Sequence, residues 1–412
     1  MSRTQLKLKA VLGRRHPGLV SGGFGLVELM ISLAIGLVIL AALVALFVGA
    51  SRNNREMESA SSVIENGRFA IQLLENDIIH AGFWGTFVPA FDDQTSGAVP
   101  GDVPAAVPDP CLAYAVWNAV HRTNLIGIPV QAYPNAAVCA DVVAPPLGPP
   151  LNANSDVLVV RHADTCVAVD RLDPDEFLDP ARCEEDIELG KLYFQSALCI
   201  DELPGRVLGV QGVDVFPWRR RDCDVLRADK RKFVSSIYFV SNLAAVDANG
   251  DATVIPTLMR SEFELDAGGD LVHLPAVPLI EGIEAFRVEL GVDNVSETGG
   301  AVNYAAAIAW LDPETKVAAT NRGDGAPDGA FIRCTAALPC TAGQLANVTA
   351  VRIHVVARSR EPTVGYVDNK TYALGLAGAF DPPNDGFKRH AYTTTVRLPN
   401  VAGRRARPGV AP

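Results

Sequence analysis

One uninterrupted apolar stretch constrains this chain more than any other feature. From Phe24 to Ala50 the sequence contains a single charged residue, Glu28, and Leu29–Ala50 is a run of 22 uncharged residues. As a helix, this run would be about 33 Å long at ~1.5 Å per residue, which is enough to span a bilayer. We therefore predict a membrane-spanning segment over residues 24–50.

The charges on the two sides of this stretch differ. Residues 1–23 contain five Lys or Arg side chains and no acidic one, whereas two Arg and two Glu side chains between positions 51 and 58 balance each other. Because positive charge is retained on the cytoplasmic side of a membrane, we expect the N-terminus in the cytoplasm. The long C-terminal part is then expected on the opposite side.

Small residues precede the apolar stretch, whereas an ordinary secretory signal places its small-residue cleavage site after the apolar run. Cleavage after Gly23 would remove the cations, keep the apolar helix and create an α-amine at Phe24. A carboxylate such as Glu28 costs about a few kcal/mol inside an apolar span, and this amine would be a partner for it. The alternative is an uncleaved signal anchor in which Glu28 extends to the lipid headgroups.

The sequence Gly22-Gly23-Phe24-Gly25-Leu26-Val27-Glu28, followed by about twenty apolar residues, resembles the class III signal of type IV prepilins and pseudopilins. The resemblance implies that residues 1–23 are a leader peptide. It also implies that a prepilin peptidase cuts between Gly23 and Phe24 and methylates the new amine of Phe24. Glu28 is then implied to pair with the N-terminal amine of an adjacent subunit during assembly.

The apolar pattern continues beyond the membrane-length run in steps of three and four residues, as expected for one face of a helix. These positions are Met57, Ala60, Ile64, Gly67, Ile71, Leu74, Ile78 and Ala81. Gly82 ends the pattern, so we predict one helix over residues 24–82. A free coiled coil is the alternative, but the small residues on this face favour close packing on a sheet.

Residues 83–400 are predicted to form a globular head, because they contain no second membrane-length apolar run. Segments rich in β-branched and aromatic residues predict strands at Asp156–His162, Lys191–Gln195, Phe233–Ser241, Ala252–Leu258, Phe263–Leu265, Ile283–Leu290, Val348–Val356 and Thr393–Leu398. The predicted fold class is α+β, with a long pilin-type helix packed on a large, mainly antiparallel sheet with loop insertions. The basic residues 401–412 are expected to form a flexible tail.

Four further parts of the sequence show a second resemblance, in addition to the signal at the N-terminus. They are Glu65–Ala70 with Asp77–Gly85, Ile280–Glu284 leading to Val288–Asp293, Val351–Ser359, and Thr393–Asn400. These groups resemble the PilW family of type IV pilus minor pilins. Residues 88–230, which are rich in Cys and Pro, resemble the family least. No contact role is assigned to Pro399-Asn400, because the family pattern has a basic residue there.

The resemblance implies a minor pilin, a low-copy structural component that helps to initiate a type IV pilus or lies at its tip. Its implied partners are the prepilin peptidase, other minor pilins, the major pilin and a large tip adhesin. The protein would wait in the inner membrane with its head in the periplasm, and then reach the pilus at the cell surface. A minor pseudopilin of a type II secretion system is the nearest alternative. A membrane-anchored periplasmic enzyme, with no N-terminal maturation, is the second.

All eight cysteines lie in the predicted head, and their even number fits disulfide formation in an oxidising compartment. Cys334 and Cys340 flank a short loop that contains Pro339, and we predict a disulfide between them. Sequence leaves open the 15 pairings of the other six, which are Cys111, Cys139, Cys166, Cys183, Cys199 and Cys223. No C-x2-C pair or His-rich partner favours a metal site.

A weak calcium candidate occurs at Asp247, Asn249 and Asp251, where oxygen ligands cluster. The residues that follow do not complete an EF-hand, since Ala252 replaces the expected glycine and Leu258 the bidentate glutamate. Asn-Gly at this position favours a hairpin turn between two strands.

Two function classes are disfavoured by the sequence. The net charge of −11 argues against nucleic acid as a partner, because phosphate binding needs a concentrated basic face. The motifs G-x-S-x-G, H-E-x-x-H, Walker A and G-x-G-x-x-G do not occur. We therefore predict no catalytic residue, no enzymatic activity and no cofactor.

Overall fold

The computed structural model describes residues 23, 25–95, 97–134, 138–145, 148–171, 179, 181–202, 205–246, 250 and 252–405. The chain divides into two compact units, Met1–Met57 and Glu58–Pro412. The α-helices are α1 (Leu26–His80), α2 (Ala119–Gly127), α3 (Ala140–Val143), α4 (Ala342–Ala346) and α5 (Pro399–Arg405). Helix α1 therefore contributes its first part to one unit and its last part to the other.

In the first unit, residues 29–50 of α1 are apolar on all sides and largely exposed. Every Leu, Ile, Val, Met and Phe side chain from Leu26 to Phe47 is more than half exposed. A helix with this composition is stable only when lipid or protein covers it. Among the described residues, α1 is the one helix long and apolar enough to cross a membrane.

The second unit is built mainly from antiparallel strands. The first ten are β1 (Val130–Tyr133), β2 (Val157–Ala163), β3 (Val167–Val169), β4 (Glu184–Asp186), β5 (Leu192–Ser196), β6 (Arg206–Val210), β7 (Arg231–Val246), β8 (Ala252–Leu265), β9 (Leu271–His273) and β10 (Val277–Glu281). The rest are β11 (Ile283–Val292), β12 (Trp310–Asp312), β13 (Val317–Ala319), β14 (Val348–Arg358), β15 (Tyr372–Ala373), β16 (Ala379–Phe380) and β17 (Arg389–Arg397).

Two sheets make up most of the head. The larger sheet has eight strands in the order β1-β2-β7-β5-β6, with β8 on β7 and both β9 and β10 on β8. The smaller sheet has the order β11-β14-β17, and β17 lies at its edge. Both sheets are antiparallel, whereas the short pair β3–β4 is parallel. The predicted fold class is confirmed.

Each of the predicted strands lies within or beside an observed one, because β-branched and aromatic residues fit a pleated, half-buried surface. Phe263–Leu265 is predicted as a separate strand, but it forms the end of β8. Sequence did not identify the helix α2, whose first turn is capped by the side chain of Asn118, which accepts a hydrogen bond from the N–H of His121.

The main core joins the last part of α1 to both sheets. Buried aliphatic side chains of α1 pack in one cluster with β2, β7, β11, β14 and β17. The buried positions of the helix are Val63, Gly67, Ala70, Leu74 and Ile78, and Ala81 follows them. Burial of each large aliphatic side chain in such a cluster contributes about 1.5–3 kcal/mol. This packing fixes the helix on the head.

The helix face differs in part from the predicted one. Gly67, Leu74, Ile78 and Ala81 are buried, but Met57 is 64% exposed and Ile64 is 48% exposed. The observed face uses Val63 and Ala70 instead. Residues three or four positions apart lie on the same side of a helix, so two adjacent faces have several residues in common. The apolar pattern therefore locates the buried face only to within part of a helical turn.

The C-terminus also differs from the prediction of a flexible tail from residue 401. Val401–Arg405 belong to α5, and residues 406–412 lie outside the described residues. The side chain of Arg405 is buried, and its guanidinium is 2.8 Å from a carboxylate oxygen of Asp92 and 3.4 Å from one of Asp293. A buried charge is stable only when paired, so these carboxylates hold α5 in place.

Gly67 provides a first test of the helix–sheet packing. A Cβ atom at Gly67 would lie 2.0 Å from Cε2 of Tyr392 on β17. We expect Gly67→Ala to destabilise the protein by about 1–3 kcal/mol, as overpacking does, although alanine favours a helix more than glycine. The measurement is thermal unfolding of the full chain in detergent.

Two further variants isolate the cause of that effect. In a Tyr392→Ala background, Gly67→Ala should cost little, because the clashing ring is gone. Gly49→Ala is the control on the same helix, since a Cβ there meets no atom within 4 Å. An equal cost of Gly67→Ala in both backgrounds would contradict the proposed close contact.

Candidate assembly site

The residues of the predicted processing signal lie at the start of α1. Gly23 is exposed, and Phe24 lies outside the described residues. Glu28 lies in the first turn of α1, is exposed, and accepts a hydrogen bond at 3.4 Å from the N–H of Gly25. A carboxylate in the first turn is favourable, because the unpaired N–H groups of a helix N-terminus carry partial positive charge. Its oxygens remain available for a further partner.

Polar contacts fasten α1 to the C-terminal strands along the length of their packing. The hydroxyl of Tyr392 donates to the carbonyl of Ile64 at 3.2 Å, and that of Thr394 donates to Glu75 at 3.3 Å. The amide of Asn400 donates to the carbonyl of Ile79 at 3.0 Å. These contacts place β17 and α5 directly against the helix.

The helix α1 also contacts the segment before β11, since the side chain of Asn66 donates to the carbonyl of Glu281 at 3.0 Å. Next to this contact, Gly282 has φ +77°, and a Cβ on it would lie 2.7 Å from the carbonyl oxygen of Arg358. The turn between β10 and β11 therefore requires glycine. The sequences around Asn66 and Gly282 both resemble the family, but they do not predict the contact between the two segments.

A buried histidine connects α1 to β2. Nε2 of His162 lies 2.9 Å from a carboxylate oxygen of Asp77, and both side chains are nearly buried. Burial alone would lower the pKa of His162, but the hydrogen bond and negative charge of Asp77 outweigh it and raise that pKa above its ordinary value. The contact therefore favours the charged imidazolium.

A buried ionic cluster fixes the start of β17. The side chain of Arg389 is fully buried and pairs with Glu284 at 2.5 Å, Asp385 at 2.6 Å and Asp368 at 3.1 Å. Removing one member of such a cluster leaves an uncompensated buried charge, which typically costs about 3–5 kcal/mol. The hydrogen bond from Arg389 is the main reason that the pKa of Asp385 lies below its ordinary range.

Four disulfides close loops of the head. They join Cys111 to Cys139, Cys166 to Cys183, Cys199 to Cys223 and Cys334 to Cys340. The described residues include two clusters of potential metal ligands, and each contains at least one cysteine: Cys199, Asp201 and Cys223 in one, and Asp164, Cys166 and Glu185 in the other. Because these cysteines are oxidised, they provide no thiolate, and neither group favours a metal. The calcium candidates Asp247, Asn249 and Asp251 lie outside the described residues.

A groove of the described head has a volume of about 790 Å³ and is bordered by Trp310, Lys316 and Arg322. Arg322 donates to the carbonyls of Asn303 at 2.5 Å and Ala306 at 2.6 Å. Asp92, which also borders the groove, is paired with Arg405. Arg322 and the pair of Asp92 with Arg405 thus hold together the loops that border the groove.

Within the described residues, the one helix of membrane-crossing length packs its last turns on antiparallel sheets. Residues 237–400, which include β8–β17, match the family Type IV Pilus-assembly protein W. The predicted resemblance to this family is thus confirmed over those residues.

Among solved structures, a type IV-like pilin from Thermus thermophilus is similar to the chain at a TM-score of 0.22 and 13% identity, covering 61% of this chain and 79% of that one. No curated protein matches the sequence.

The contact between His162 and Asp77 predicts a pH dependence. Because the folded-state pKa of His162 lies above its unfolded value of about 6.5, the stabilisation is complete below that value and is lost as pH rises through the folded-state pKa. Between pH 6 and pH 9 we expect a loss on the order of 1 kcal/mol in the free energy of unfolding.

The test compares unfolding at both pH values in the unmodified chain, in His162→Gln and in His390→Gln. His390 is exposed, so its variant should keep the full pH dependence, whereas His162→Gln should lose part of it. Identical pH profiles for the unmodified chain and His162→Gln would refute this role for His162.

Proposed function

We propose that this protein is a minor pilin, a low-copy structural component of a type IV pilus. The observation that carries the proposal is the match of residues 237–400 to a pilus-assembly family. The exposed apolar part of α1 supports it, because such a helix needs lipid before assembly and neighbouring helices afterwards. The polar and aliphatic contacts of Glu58–His80 with the matched strands join that helix firmly to the head.

In this proposal, the N-terminus supplies the assembly chemistry. A prepilin peptidase cuts after Gly23 and methylates the amine of Phe24. Glu28, whose carboxylate is exposed on the first turn of α1, then pairs with the N-terminal amine of a neighbouring subunit. Opposite charges attract strongly where lipid or packed helices exclude water, so this pair would draw a subunit into register with its neighbour.

We further propose that the protein helps to initiate the pilus or lies at its tip, together with other minor pilins, the major pilin and a large tip adhesin. The predicted head of residues 83–400 is much larger than a repeating subunit needs, and its bulk would crowd a helical filament on all sides. At the tip only one side of the subunit must pack. The protein has a structural and not an enzymatic role in this proposal.

The positive residues before α1 support an orientation with the N-terminus in the cytoplasm. The head then lies in the periplasm until assembly moves it to the cell surface. Four disulfides suit that route, because both compartments are oxidising.

Mass spectrometry of the N-terminus tests the processing step. In protein purified from its own cells, we expect the chain to begin at Phe24 with a methylated amine. Gly23→Ala should retain the leader, since the residue before the cut is changed. A chain that begins at Met1 in the unmodified protein would exclude the proposal and favour a plain membrane anchor.

Surface piliation tests the role of Glu28. Glu28→Ala should reduce the number of surface pili about tenfold or more, because a loss of ~1.4 kcal/mol in one docking step changes its equilibrium tenfold. Glu58→Ala is the matched control, since it removes an exposed carboxylate from the same helix outside the apolar run. Equal piliation in both strains would rule out the assembly role of Glu28.

A further inference from the structure

The two edge strands of the small sheet, β11 and β17, differ in how many of their outward backbone groups are hydrogen-bonded within the described residues. Within the β14–β17 pair, the N–H of Ser359 donates to the carbonyl of Lys388, and the N–H of Leu398 donates to that of Thr349. Alternate residues of an antiparallel strand direct their backbone groups to the same side. The even-numbered residues of β17 therefore bond to β14, and the odd-numbered ones face outward.

The edge formed by β11 is closed by the chain itself. The outward N–H of Phe286 donates to Asn154, that of Val288 donates to the carboxylate of Asp156, and that of Leu290 donates to Ile332. The carbonyl of Val292 accepts from the N–H of Asp328. Each outward residue from 286 to 292 thus has an internal partner.

The edge formed by β17 is open in the described part of the chain. Among the described residues, only the carbonyl of Arg389 has a partner on this outward side, the hydroxyl of Tyr372 at 3.4 Å. The N–H and carbonyl groups of Ala391, Thr393, Thr395 and Arg397 make no hydrogen bond within the described residues. The last three of these residues are also exposed.

Natural proteins usually block such an edge with proline, a bulge, a lysine or a very short strand. β17 has nine residues and contains neither proline nor lysine. Its pairing with β14 is regular from Arg389 to Arg397, whereas β11 shows two register shifts against the same strand. An edge that is long, regular and unblocked is a template for another strand.

We propose that the open edge of β17 accepts an extended segment of another pilin-type subunit, which adds a fourth strand to the sheet. This inference rests on the proposed function, because the partner is a subunit of the same assembly. β17 is suited to the task by its position against α1, since Tyr392 and Thr394 already contact that helix. Docking on this strand would thus place a neighbour beside the assembly helix.

The charges next to the edge define the partner further. Arg397 is exposed, and the guanidinium of Arg352 donates to the hydroxyl of Thr395 at 3.1 Å. Both side chains lie on the face opposite α1, because the odd-numbered residues of β17 alternate with those that contact the helix. The charge of Arg352 is already paired with Glu289 at 3.3 Å, so Arg397 is the cation that would face a partner strand. A partner strand with an acidic side chain opposite Arg397 fits this face, as opposite charges stabilise cross-strand pairs.

The test removes one outward N–H group and leaves the internal ladder intact. Proline at position 395 loses no hydrogen bond to β14, because the N–H of Thr395 faces outward. Thr395→Val is the matched control, since it loses the same hydroxyl but keeps the N–H. Equal thermal unfolding of the two variants shows that the fold of each is intact.

The measurement is co-purification, from detergent-solubilised membranes, of the full chain with the other class III signal proteins of its own bacterium, each carrying a distinct tag. We expect Thr395→Pro to reduce the amount of at least one of these subunits about tenfold, equivalent to ~1.4 kcal/mol, and Thr395→Val to leave it unchanged. Equal recovery with both variants overturns the proposal. A second copy of this chain with its own tag is included, and if that copy alone is lost, the assignment to another subunit is overturned.

Hydrogen exchange on the unmodified chain gives an independent result if the proline variant fails to fold. The amides of Ala391, Thr393, Thr395 and Arg397 should exchange at least about tenfold more slowly in the co-purified assembly than in the isolated chain, because pairing protects them. Unchanged exchange overturns the proposal. If Phe24 is methylated and Glu28→Ala reduces piliation, such a result rejects the edge pairing alone and leaves the proposed function standing.

Discussion

The packing of residues 58–80 of α1 on the head joins the helix and both sheets in one hydrophobic core. The helix would otherwise end as an isolated apolar rod, and the small sheet would expose one buried face. Gly67 allows Tyr392 to approach the helix backbone, and Leu74 and Ile78 fill the core on the same side. The hydrogen bonds of Asn66, Glu75 and Asn400 then fix the helix along its axis. Any force applied to the helix is therefore transmitted to the sheet.

The overall fold was largely predictable from sequence. The apolar run identified the helix, and β-branched segments identified the longer strands, because both signals are local and repeat with the period of the element. The small residues on the helix correctly indicated close packing on a sheet. The sequence determined the position of the buried face less well, because Val63 and Ile64 are both apolar neighbours, and it is Val63 that packs in the main core.

The contacts that complete the site could not be predicted in the same way. Asp77 and His162 are 85 residues apart, and Arg389 meets Glu284 across 105 residues. The sequence alone does not show which distant residue a charged side chain pairs with. The same reason explains α5, whose basic residues resemble a solvated tail until Asp92 and Asp293 are seen beside Arg405. Whether a sheet edge is open or closed also depends on distant segments such as residues 154–156, and not on the strand itself.

The pairing of the cysteines has a consequence for the order of events during synthesis. Each cysteine bonds to the next one along the chain, with separations of 28, 17, 24 and 6 residues. A chain that emerges from its N-terminus can therefore close every loop before the cysteines of the following loop appear. Oxidation in this sequence yields the native connectivity directly, without a later exchange of partners. Three of these loops lie in residues 88–230, the region least similar to the pilus-assembly family. Their disulfides can therefore form before the matched strands, which complete the helix–sheet core, have been made.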